Sequence, residues 1–347
     1  MKIINVGRFP PPIGGIAYFL QRLKSHLEKE NLDNLFYDIS GISYNEKRKK
    51  GVICTHPFLV FFMIFFQSKS LVVFHSNGLM VLIMANILSI KHKIVLFTHG
   101  ESILRRKDQG IIFRMLLKNI DFFATPTKLI YNNLLSQFPE YKEKIYNIPF
   151  ILFPKKIDKV EDGRILELRK KSKYIMVGYA YDLNFINEVD LYGVDMMFDL
   201  LIMFKNSKID ASLLLILPTC TNKEYLRNLW SKIELNKLND KILVLNEKVK
   251  EATSIYELAD VYLRPTVTDG DSFSVWESLY VKTPVVASDA SQRPEQCILF
   301  ENRNIYDFFK KTKYALDNIA ELKEKLDEAS ITGSEKELIN FFKGCMD

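Results

Sequence analysis

The chain has 347 residues, of which 48% are hydrophobic and 26% charged. This composition is that of a globular protein with room for two domains, and it excludes a disordered chain. No apolar run reaches the roughly 18–20 residues that cross a bilayer, and Met1–Val6 has the pattern of a first strand rather than of a signal peptide. The sequence therefore predicts a cytoplasmic protein.

Charge is distributed unevenly between the two halves of the chain. Residues 1–150 carry 20 Lys and Arg and 10 Asp and Glu, a net charge of +10, whereas residues 151–347 carry 28 and 32, a net charge of −4. The basic half is predicted to face an anionic partner.

The chain begins with a predicted strand, loop and helix. The apolar run Lys2–Val6 is followed by Gly14 and Gly15, and a stretch with helical periodicity starts at Ile16. Glycines allow a backbone to approach a ligand closely, and the N–H groups of a helix N-terminus favour an anion. A plain tight turn is the alternative for a glycine pair.

An intensely apolar segment, Phe58–Phe66, follows the basic run Lys47–Lys50. The segment is too short to span a bilayer, but an apolar stretch beside basic residues can lie in the interface of an anionic membrane. Leu104–Leu117 is a second stretch of mixed apolar and basic character. The alternative is that both helices simply cover a sheet.

Two apolar runs that fit buried parallel strands each end in a histidine. Leu71–Phe74 is followed directly by His75, and Ile94–Phe97 is followed by Thr98 and then His99. Ligands of open α/β sheets bind outside the carboxyl ends of the strands, so His99 is predicted to point into such a site. A hydrogen-bonded structural histidine is the alternative for His99 and the preferred interpretation for His75.

Strand and helix patterns alternate along the whole chain, which predicts an α/β protein with two Rossmann-like, doubly wound domains. Residues 1–155 form the predicted N-terminal domain, 156–330 the C-terminal domain, and 331–347 a terminal helix that crosses back to the N-terminal domain. Further strands are predicted at Asp121–Thr125, Lys144–Ile148, Tyr174–Val177, Leu213–Leu217, Ile242–Leu245, Val261–Leu263 and Val285–Ala287.

A polar loop follows the strand Val261–Leu263. Ser272 or Ser274 is a predicted N-cap for a helix over Val275–Tyr280. Free N–H groups and the positive end of the helix dipole suit a phosphate at this place. Asp269 and Glu277 provide acceptors for sugar or ribose hydroxyls.

This stretch resembles the C-terminal domain of the family 4 glycosyltransferases, retaining enzymes of the GT-B fold. Their motif is an acidic residue, seven residues and a Glu, followed by an apolar helix and a strand similar to TPVVAS. Asp269 stands where the family usually has its first Glu, as in a subgroup with Asp at that position, and Glu277 stands at the second. The resemblance implies two domains that face each other across a cleft.

The resemblance also implies an activity. The enzyme would move a sugar from a nucleotide diphosphate sugar, with retention and without a metal or further cofactor, to a saccharide acceptor. His99, Asp269 and Glu277 are the implied catalytic residues. The predicted donor-binding residues are Gly14, Gly15, Arg264, Gly270, Asp271, Ser272, Phe273, Ser274 and Arg293.

The basic, apolar N-terminal half predicts a lipid-linked saccharide acceptor, as in bacterial surface polysaccharide assembly. The protein is then expected in the cytoplasm and peripherally on the inner face of the membrane. No nucleic-acid partner is expected, because no module with interleaved basic and aromatic residues is present.

The chain departs from the family after the strand Tyr174–Val177. The family places an Arg and a Lys here to hold the donor diphosphate, but this chain has Tyr179 and Tyr192. Arg264, Arg293 or the helix N-terminus near Ser274 is expected to take over this function. A structural ion pair is the alternative for either arginine.

Two other interpretations remain open. Asp269-Gly270-Asp271 also spells the D-x-D pattern that holds a divalent metal in another class of glycosyltransferases. The missing cations are also compatible with a catalytically silent binding or scaffold subunit that has kept the fold.

Overall fold

A computed structural model describes residues 1–9, 15–39, 51–99, 110–249 and 251–346, and for 110–112 the backbone alone. The chain divides into two compact units. One unit consists of Met1–Leu152 together with Gly333–Asp347, and the other of Phe153–Thr332.

The first unit contains a parallel sheet with seven strands among its described residues. The central strands are buried along almost their whole length, as expected of apolar strands in a parallel sheet that is covered on both faces. The strands are β1 (Lys2–Gly7), β2 (Asn34–Asp38), β3 (Val52–Cys54), β4 (Ser70–Phe74), β5 (Lys93–Phe97), β6 (Phe122–Thr125) and β7 (Ile145–Asn147). Their order across the sheet is β3-β2-β1-β4-β5-β6-β7.

Helices cover both faces of this sheet. Ile4, Val72 and Ile94 lie in one core cluster with Val60 and Leu82 of two helices. The helices that precede the domain boundary are α1 (Gly15–Lys29), α2 (Pro57–Phe65), α3 (Leu79–Leu88), α4 (Gly110–Lys118) and α5 (Lys128–Gln137), with a 3-10 helix at Pro139–Lys144.

The second unit contains a six-stranded parallel sheet and a small antiparallel hairpin among its described residues. The sheet strands are β8 (Tyr174–Tyr179), β11 (Ala211–Ile216), β12 (Ile242–Leu245), β13 (Val261–Arg264), β14 (Val285–Ser288) and β15 (Ile298–Phe300), and the hairpin consists of β9 (Phe185–Ile186) and β10 (Val189–Asp190). The sheet order is β12-β11-β8-β13-β14-β15.

Alternate side chains of the second sheet enter two separate cores. Met176 packs with Met197 on one face, whereas Val177 packs with Val275 on the other. The helices are α6 (Gly163–Lys170), α7 (Val194–Asn206), α8 (Lys223–Leu235), α9 (Thr253–Leu258), α10 (Phe273–Tyr280), α11 (Ile305–Asp317) and α12 (Ile319–Ala329). The predicted α/β class, with a parallel sheet in each of two domains, is confirmed.

The last helix, α13 (Glu335–Met346), belongs to the first unit. The ring of Phe342 stacks on that of Phe97 at the end of β5, with 5.9 Å between centroids. The Ser334 amide donates to the Ile151 carbonyl at 2.7 Å. Helix α13 therefore packs against the sheet of the first unit at β5.

Several elements differ from the predictions. The short strands β2, β3 and β15 and the hairpin were not predicted. Helix α10 begins at Phe273 instead of Val275, so Phe273 and Ser274 lie in the helix and not in the loop. Ser272 occupies the N-cap position, but its side chain makes no capping hydrogen bond.

Gly193 precedes α7 in the left-handed conformation, with φ of 65°. A Cβ atom here would lie 2.2 Å from the carbonyl oxygen of Pro265. Both the dihedral angle and the close backbone therefore require glycine, and they bring the start of α7 against the loop that follows β13.

We predict that Gly193→Ala lowers the free energy of unfolding by about 2 kcal/mol or more, since it adds left-handed strain to a backbone clash. Gly163→Ala is the matched control, because a Cβ on Gly163 meets nothing within 4 Å. That variant should be neutral or slightly stabilising at a helix start. Urea unfolding of both variants checks this, and equal stabilities would contradict it.

Candidate active site

The carboxylate of Asp269 lies between two arginines in the loop after β13. Arg264 at the end of β13 donates from Nε to Oδ2 at 2.8 Å and from Nη2 to Oδ1 at 3.0 Å. Arg293, in the loop between β14 and β15, donates from Nη1 to Oδ2 at 2.8 Å. Asp269 thus has a bidentate partner and a second cation, and we call these three residues the Arg–Asp–Arg cluster.

The cluster is buried. The side chains of Arg264, Asp269 and Arg293 are 7%, 12% and 1% exposed. Burial alone would raise the pKa of the Asp269 carboxyl, but the charges and hydrogen bonds of Arg264 and Arg293 outweigh it and hold this pKa below its ordinary value. The carboxylate is therefore ionised, and the cluster carries one positive charge in excess.

Further hydrogen bonds tie the cluster to both loops. Arg293 donates to the Thr266 hydroxyl at 2.7 Å and to the Ser288 carbonyl at 3.4 Å. The Asp269 amide donates to Ser291 Oγ at 2.8 Å. The loops after β13 and β14, which are neighbouring strands, are thereby joined at the carboxyl edge of the sheet.

Arg264 also contacts Tyr179, the last residue of β8, and Tyr192, two residues before the start of α7. Its Nη1 donates to the Tyr179 carbonyl at 3.2 Å, and its guanidinium lies 5.4 Å from the ring centroid of Tyr192. A guanidinium from β13 therefore lies beside the two positions at which the family resemblance leads us to expect cations.

Asp190, which sequence reasoning missed, accepts hydrogen bonds at the N-terminus of α7. Its Oδ1 accepts from the amides of Tyr192 and Gly193 at 3.0 and 3.1 Å, and its Oδ2 accepts from Val194 at 3.0 Å. The Tyr225 hydroxyl donates to Oδ2 at 3.2 Å. An internal carboxylate thus occupies the anion-binding end of this helix; an Asp a few residues before the helix was the available signal.

The start of α10 contains a chain of hydroxyl groups. The Tyr262 hydroxyl donates to Ser274 Oγ at 2.7 Å, and Ser272 Oγ lies 3.1 Å from Ser274 Oγ. Gly270 is exposed, and a Cβ there would meet nothing within 4 Å. The structure thus shows no close approach that requires a glycine at this point of the loop.

Glu277 lies on α10 and is 8% exposed. The pKa of the Tyr256 hydroxyl is raised, first by burial and then by the charges of Tyr262 and Glu277. Glu277 is therefore a buried acid on the helix that the candidate loop leads into.

The D-x-D residues do not present two open carboxylates. Asp269 is held by two guanidinium groups, and Asp271 Oδ1 accepts from the Trp276 indole at 2.6 Å. Burial raises the pKa of the Asp271 carboxyl. Among the residues that the structure describes, no group of three His, Cys, Asp or Glu is arranged to hold a metal ion.

His99 lies in the first unit, just after β5. Its ring is surrounded by Phe19 and Phe150, with centroid distances of 5.2 and 5.0 Å, and its Nε2 lies 3.0 Å from His75 Nδ1. Burial lowers the pKa of His99 to about 3, so the ring is neutral. Gly15 is the first residue of α1, whereas Gly14 lies outside the described residues.

A parallel sheet with helices on both faces, present in each of two units, is the architecture of the GT-B glycosyltransferases. A solved glycosyltransferase from Rickettsia africae ESF-5 superposes with a TM-score of 0.74 at 14% identity, over 100% of this chain and 98% of that chain. Anabaena Alr3699/HepE in complex with UDP gives 0.68 at 13%, over 99% and 100%. The E. coli trehalose-6-phosphate structure bound with UDP-2-fluoro glucose gives 0.66 at 13%, over 99% of both chains.

These similarities establish the fold. No protein-family model matches the sequence, and no curated protein matches it either. Membership of family 4, and of its subgroup with Asp in the first acidic position, therefore stays a prediction. No helix in the described parts of the chain is long and apolar enough to cross a membrane.

We predict that Asp269→Asn lowers the free energy of unfolding by about 3–5 kcal/mol at neutral pH, because two buried arginines lose their counter-charge. The pKa of Asp269 is lowered in the folded state, so the contribution of this carboxylate is complete above its ordinary pKa of 3.8 and disappears as the pH falls through the lowered value. The stability gap between wild type and variant should therefore narrow only below about pH 4.

Asp199→Asn is the control for this measurement, because it removes an exposed ion pair with Lys232 and should cost less than about 1 kcal/mol. Denaturant unfolding across pH measures all three proteins. If both variants lost the same small amount of stability, the cluster would not hold the loop.

Proposed function

We propose that the chain transfers a sugar from a nucleotide diphosphate sugar to a saccharide acceptor, with retention of configuration and without a metal ion. The observation that carries the proposal is the buried Arg–Asp–Arg cluster at the carboxyl edge of the second sheet. Ligands of open α/β sheets bind at this edge, and the charges of the three cluster residues sum to one positive charge, which favours an anionic group.

Arg264 is the proposed ligand of the donor diphosphate. The side chain of Arg293 is 1% exposed and donates to Thr266 and Ser288, which suits it to hold the loop rather than the substrate. Arg264 instead lies beside Tyr179 and Tyr192. Together with the N–H groups at the start of α10, its guanidinium would stabilise charge that develops on the leaving diphosphate.

The two acidic residues have different proposed functions. Glu277 would accept hydrogen bonds from the ribose hydroxyls. Asp269 would orient Arg264, since both of its oxygens already accept from arginine, and its predicted contact with sugar hydroxyls stays a prediction. His99 would meet the donor sugar.

Ligands of the structural neighbours agree with a nucleotide-sugar donor. Alr3699/HepE is described in complexes with UDP, with UDP and glucose, and with UDP-glucose, and the E. coli structure with UDP-2-fluoro glucose. We therefore propose a nucleoside diphosphate sugar as the donor class for this chain.

A thermal-shift panel of nucleoside diphosphates and their sugars tests the donor. At least one should raise the Tm of the wild type in a concentration-dependent way. Glu277→Gln should lower the affinity for that ligand about 10- to 100-fold, since a charged hydrogen bond contributes about 1.5–3 kcal/mol. The rate of sugar transfer should fall by a similar factor. Glu257→Gln, an exposed change on neighbouring α9, should bind as the wild type does. Equal affinity in all three proteins would rule out the proposed role of Glu277.

We further propose that the acceptor is lipid-linked and that α2 and α3 dock on an anionic membrane. Both helices expose large apolar side chains, from Phe58 on α2 to Met80 on α3, and Phe66 and Ile90 just beyond them are 78% and 84% exposed. Large apolar side chains that are exposed together on two helices of a globular protein favour an interaction site. We call the exposed apolar side chains of α2, α3 and the residues that end them the apolar face: Phe58, Leu59, Phe62, Met63, Phe65, Phe66, Leu79, Met80, Ile83, Ile87 and Ile90.

The charge around the apolar face favours an anionic lipid surface over an uncharged partner. Residues 51–100 contain no Asp or Glu. Lys69 and Lys91 are exposed, and Lys91 donates to the Phe65 carbonyl at 3.3 Å, at the end of α2. Apolar insertion and basic attraction would then act at one surface. The basic run Lys47–Lys50 lies outside the described residues.

Liposome sedimentation tests this docking. The wild type should bind phosphatidylglycerol vesicles more strongly than phosphatidylcholine vesicles, and added salt should weaken the binding. Phe66→Ser combined with Ile90→Ser should reduce binding at least tenfold, because about 2 kcal/mol is lost for each apolar side chain that no longer inserts. Leu235→Ser is the control, since Leu235 is 84% exposed on α8 of the other unit. Equal, salt-independent binding to both vesicles would refute the proposal.

A catalytically silent binding subunit is the second candidate. The observation that favours it is that Asp269 is fully engaged by arginines, while tyrosines replace both expected cations. Nucleotide-sugar binding without transfer or hydrolysis would support this candidate. Release of nucleoside diphosphate that requires Glu277 would exclude it.

A further inference from the structure

Three polar side chains form a hydrogen-bonded line through the first unit. They come from the neighbouring strands β1, β4 and β5 or from the residues that follow them. Asn5 Oδ1 lies 3.0 Å from His75 Nε2, and His75 Nδ1 lies 3.0 Å from His99 Nε2. Asn5 and His75 are both buried, whereas His99 is partly exposed, so the line runs from the core towards the surface.

The backbone places His75 between the other two residues. Its amide donates to the Val6 carbonyl at 3.0 Å, next to Asn5 on β1. Gly7 leaves the room for the imidazole, because a Cβ on Gly7 would lie 3.1 Å from His75 Cβ and 2.5 Å from Leu20. The close packing therefore specifies where the His75 ring lies.

The chemistry of the three groups determines which ring nitrogen of each histidine carries the hydrogen. The amide oxygen of Asn5 can only accept, so His75 Nε2 carries a hydrogen. Burial, with a contribution from His99, lowers the pKa of His75 well below 6.5, and a neutral imidazole has only one N–H. His75 Nδ1 therefore accepts, and His99 Nε2 donates to it.

Aromatic rings restrict the orientation of both imidazoles. Phe97 lies 4.9 Å from the His75 ring, and Phe19 and Phe150 flank His99. Within the described residues no hydrogen bond is made to His99 Nδ1. Once Nε2 carries the hydrogen, Nδ1 of the neutral ring is left with a lone pair.

We propose that Asn5 and His75 are positioning residues that hold His99 as the neutral Nε2–H tautomer, so that His99 Nδ1 accepts a hydrogen bond from a hydroxyl group of the bound sugar. The second part rests on the proposed function, in which His99 meets the donor sugar. The first part is a property of the ligand-free chain. His99 would thus select a hydrogen-bond donor on the sugar and reject an acceptor.

Histidine tautomers can be measured directly in the full-length protein. The chain has five histidines, and selective ¹⁵N-histidine labelling with long-range ¹H–¹⁵N correlation distinguishes a protonated from an unprotonated ring nitrogen. The His99 signals are assigned by their loss in His99→Gln. We expect Nε2 to be protonated and Nδ1 unprotonated in the wild type. A protonated Nδ1, the pattern expected if the Asn5 amide donated to His75, would overturn the proposal.

Two variants of Asn5 test the positioning itself. Asn5→Leu removes the acceptor, so His99 should populate both tautomers, and kcat/KM for the sugar donor should fall about tenfold for the loss of one oriented hydrogen bond. Asn5→Asp keeps an acceptor oxygen and should restore the wild-type His99 tautomer. Unchanged His99 signals in Asn5→Leu would contradict a role for Asn5.

Donor analogues test the sugar contact. Removal of the hydroxyl that meets His99 should lower kcat/KM about tenfold in the wild type and much less in Asn5→Leu. If each deoxy analogue lowered kcat/KM by the same factor in the wild type and in Asn5→Leu, the contact between His99 and the sugar would be refuted. The proposed transferase function would not be affected by that result. Failure of the proposed function would appear separately, as the lack of any nucleoside diphosphate that stabilises the wild type.

Discussion

The bidentate ion pair between Arg264 and Asp269, supported by Arg293, is the interaction on which the candidate site depends. It joins the loops after β13 and β14, and it keeps three charged groups together in a buried environment. Such a cluster is costly to desolvate and is maintained only when its hydrogen bonds are well satisfied. Since the cluster retains one positive charge, it can both order the loop and attract an anion. Asp269 and Arg293 therefore hold the loop in place, and the same cluster fixes the position of Arg264, the proposed ligand of the donor.

The candidate ligand-binding groups of the two units differ in charge. In the second unit, Asp190 satisfies the N-terminus of α7, so an anionic ligand would have to be held by the loop after β13 and the start of α10 instead. In the first unit, neutral groups are used: Asn5, His75 and His99 are linked by hydrogen bonds among aromatic rings. A charged group, Arg264, would thus bind the diphosphate, and an uncharged hydrogen-bond acceptor, His99, would bind the sugar.

The fold could largely be predicted from the sequence, because central strands such as Leu71–Phe74 are continuous apolar runs and lie buried on both faces. Edge strands such as β3, with three half-buried residues, lack that signal. The acidic loop was also located, but the partners of Asp269 were not: Arg293 is 24 positions away, and only the adjacency of β13 and β14 brings it close. His75 is interpreted from the sequence as structural, because its hydrogen-bond partner His99 follows a different strand. The proposed function of His75, which is to position His99, therefore has no signal in the local sequence.

The position of α13 has a consequence for biosynthesis. Phe342 stacks on Phe97, and the first unit consists of two segments of the chain with the second unit between them. Domains generally fold in order as they leave the ribosome, yet the first unit cannot cover this part of its sheet until α13, which follows the whole second unit in the chain, has been translated. The second unit can complete its core earlier. During synthesis, the side of Phe97 that Phe342 covers therefore stays uncovered until α13 is made, and a chain truncated before α13 would leave it so.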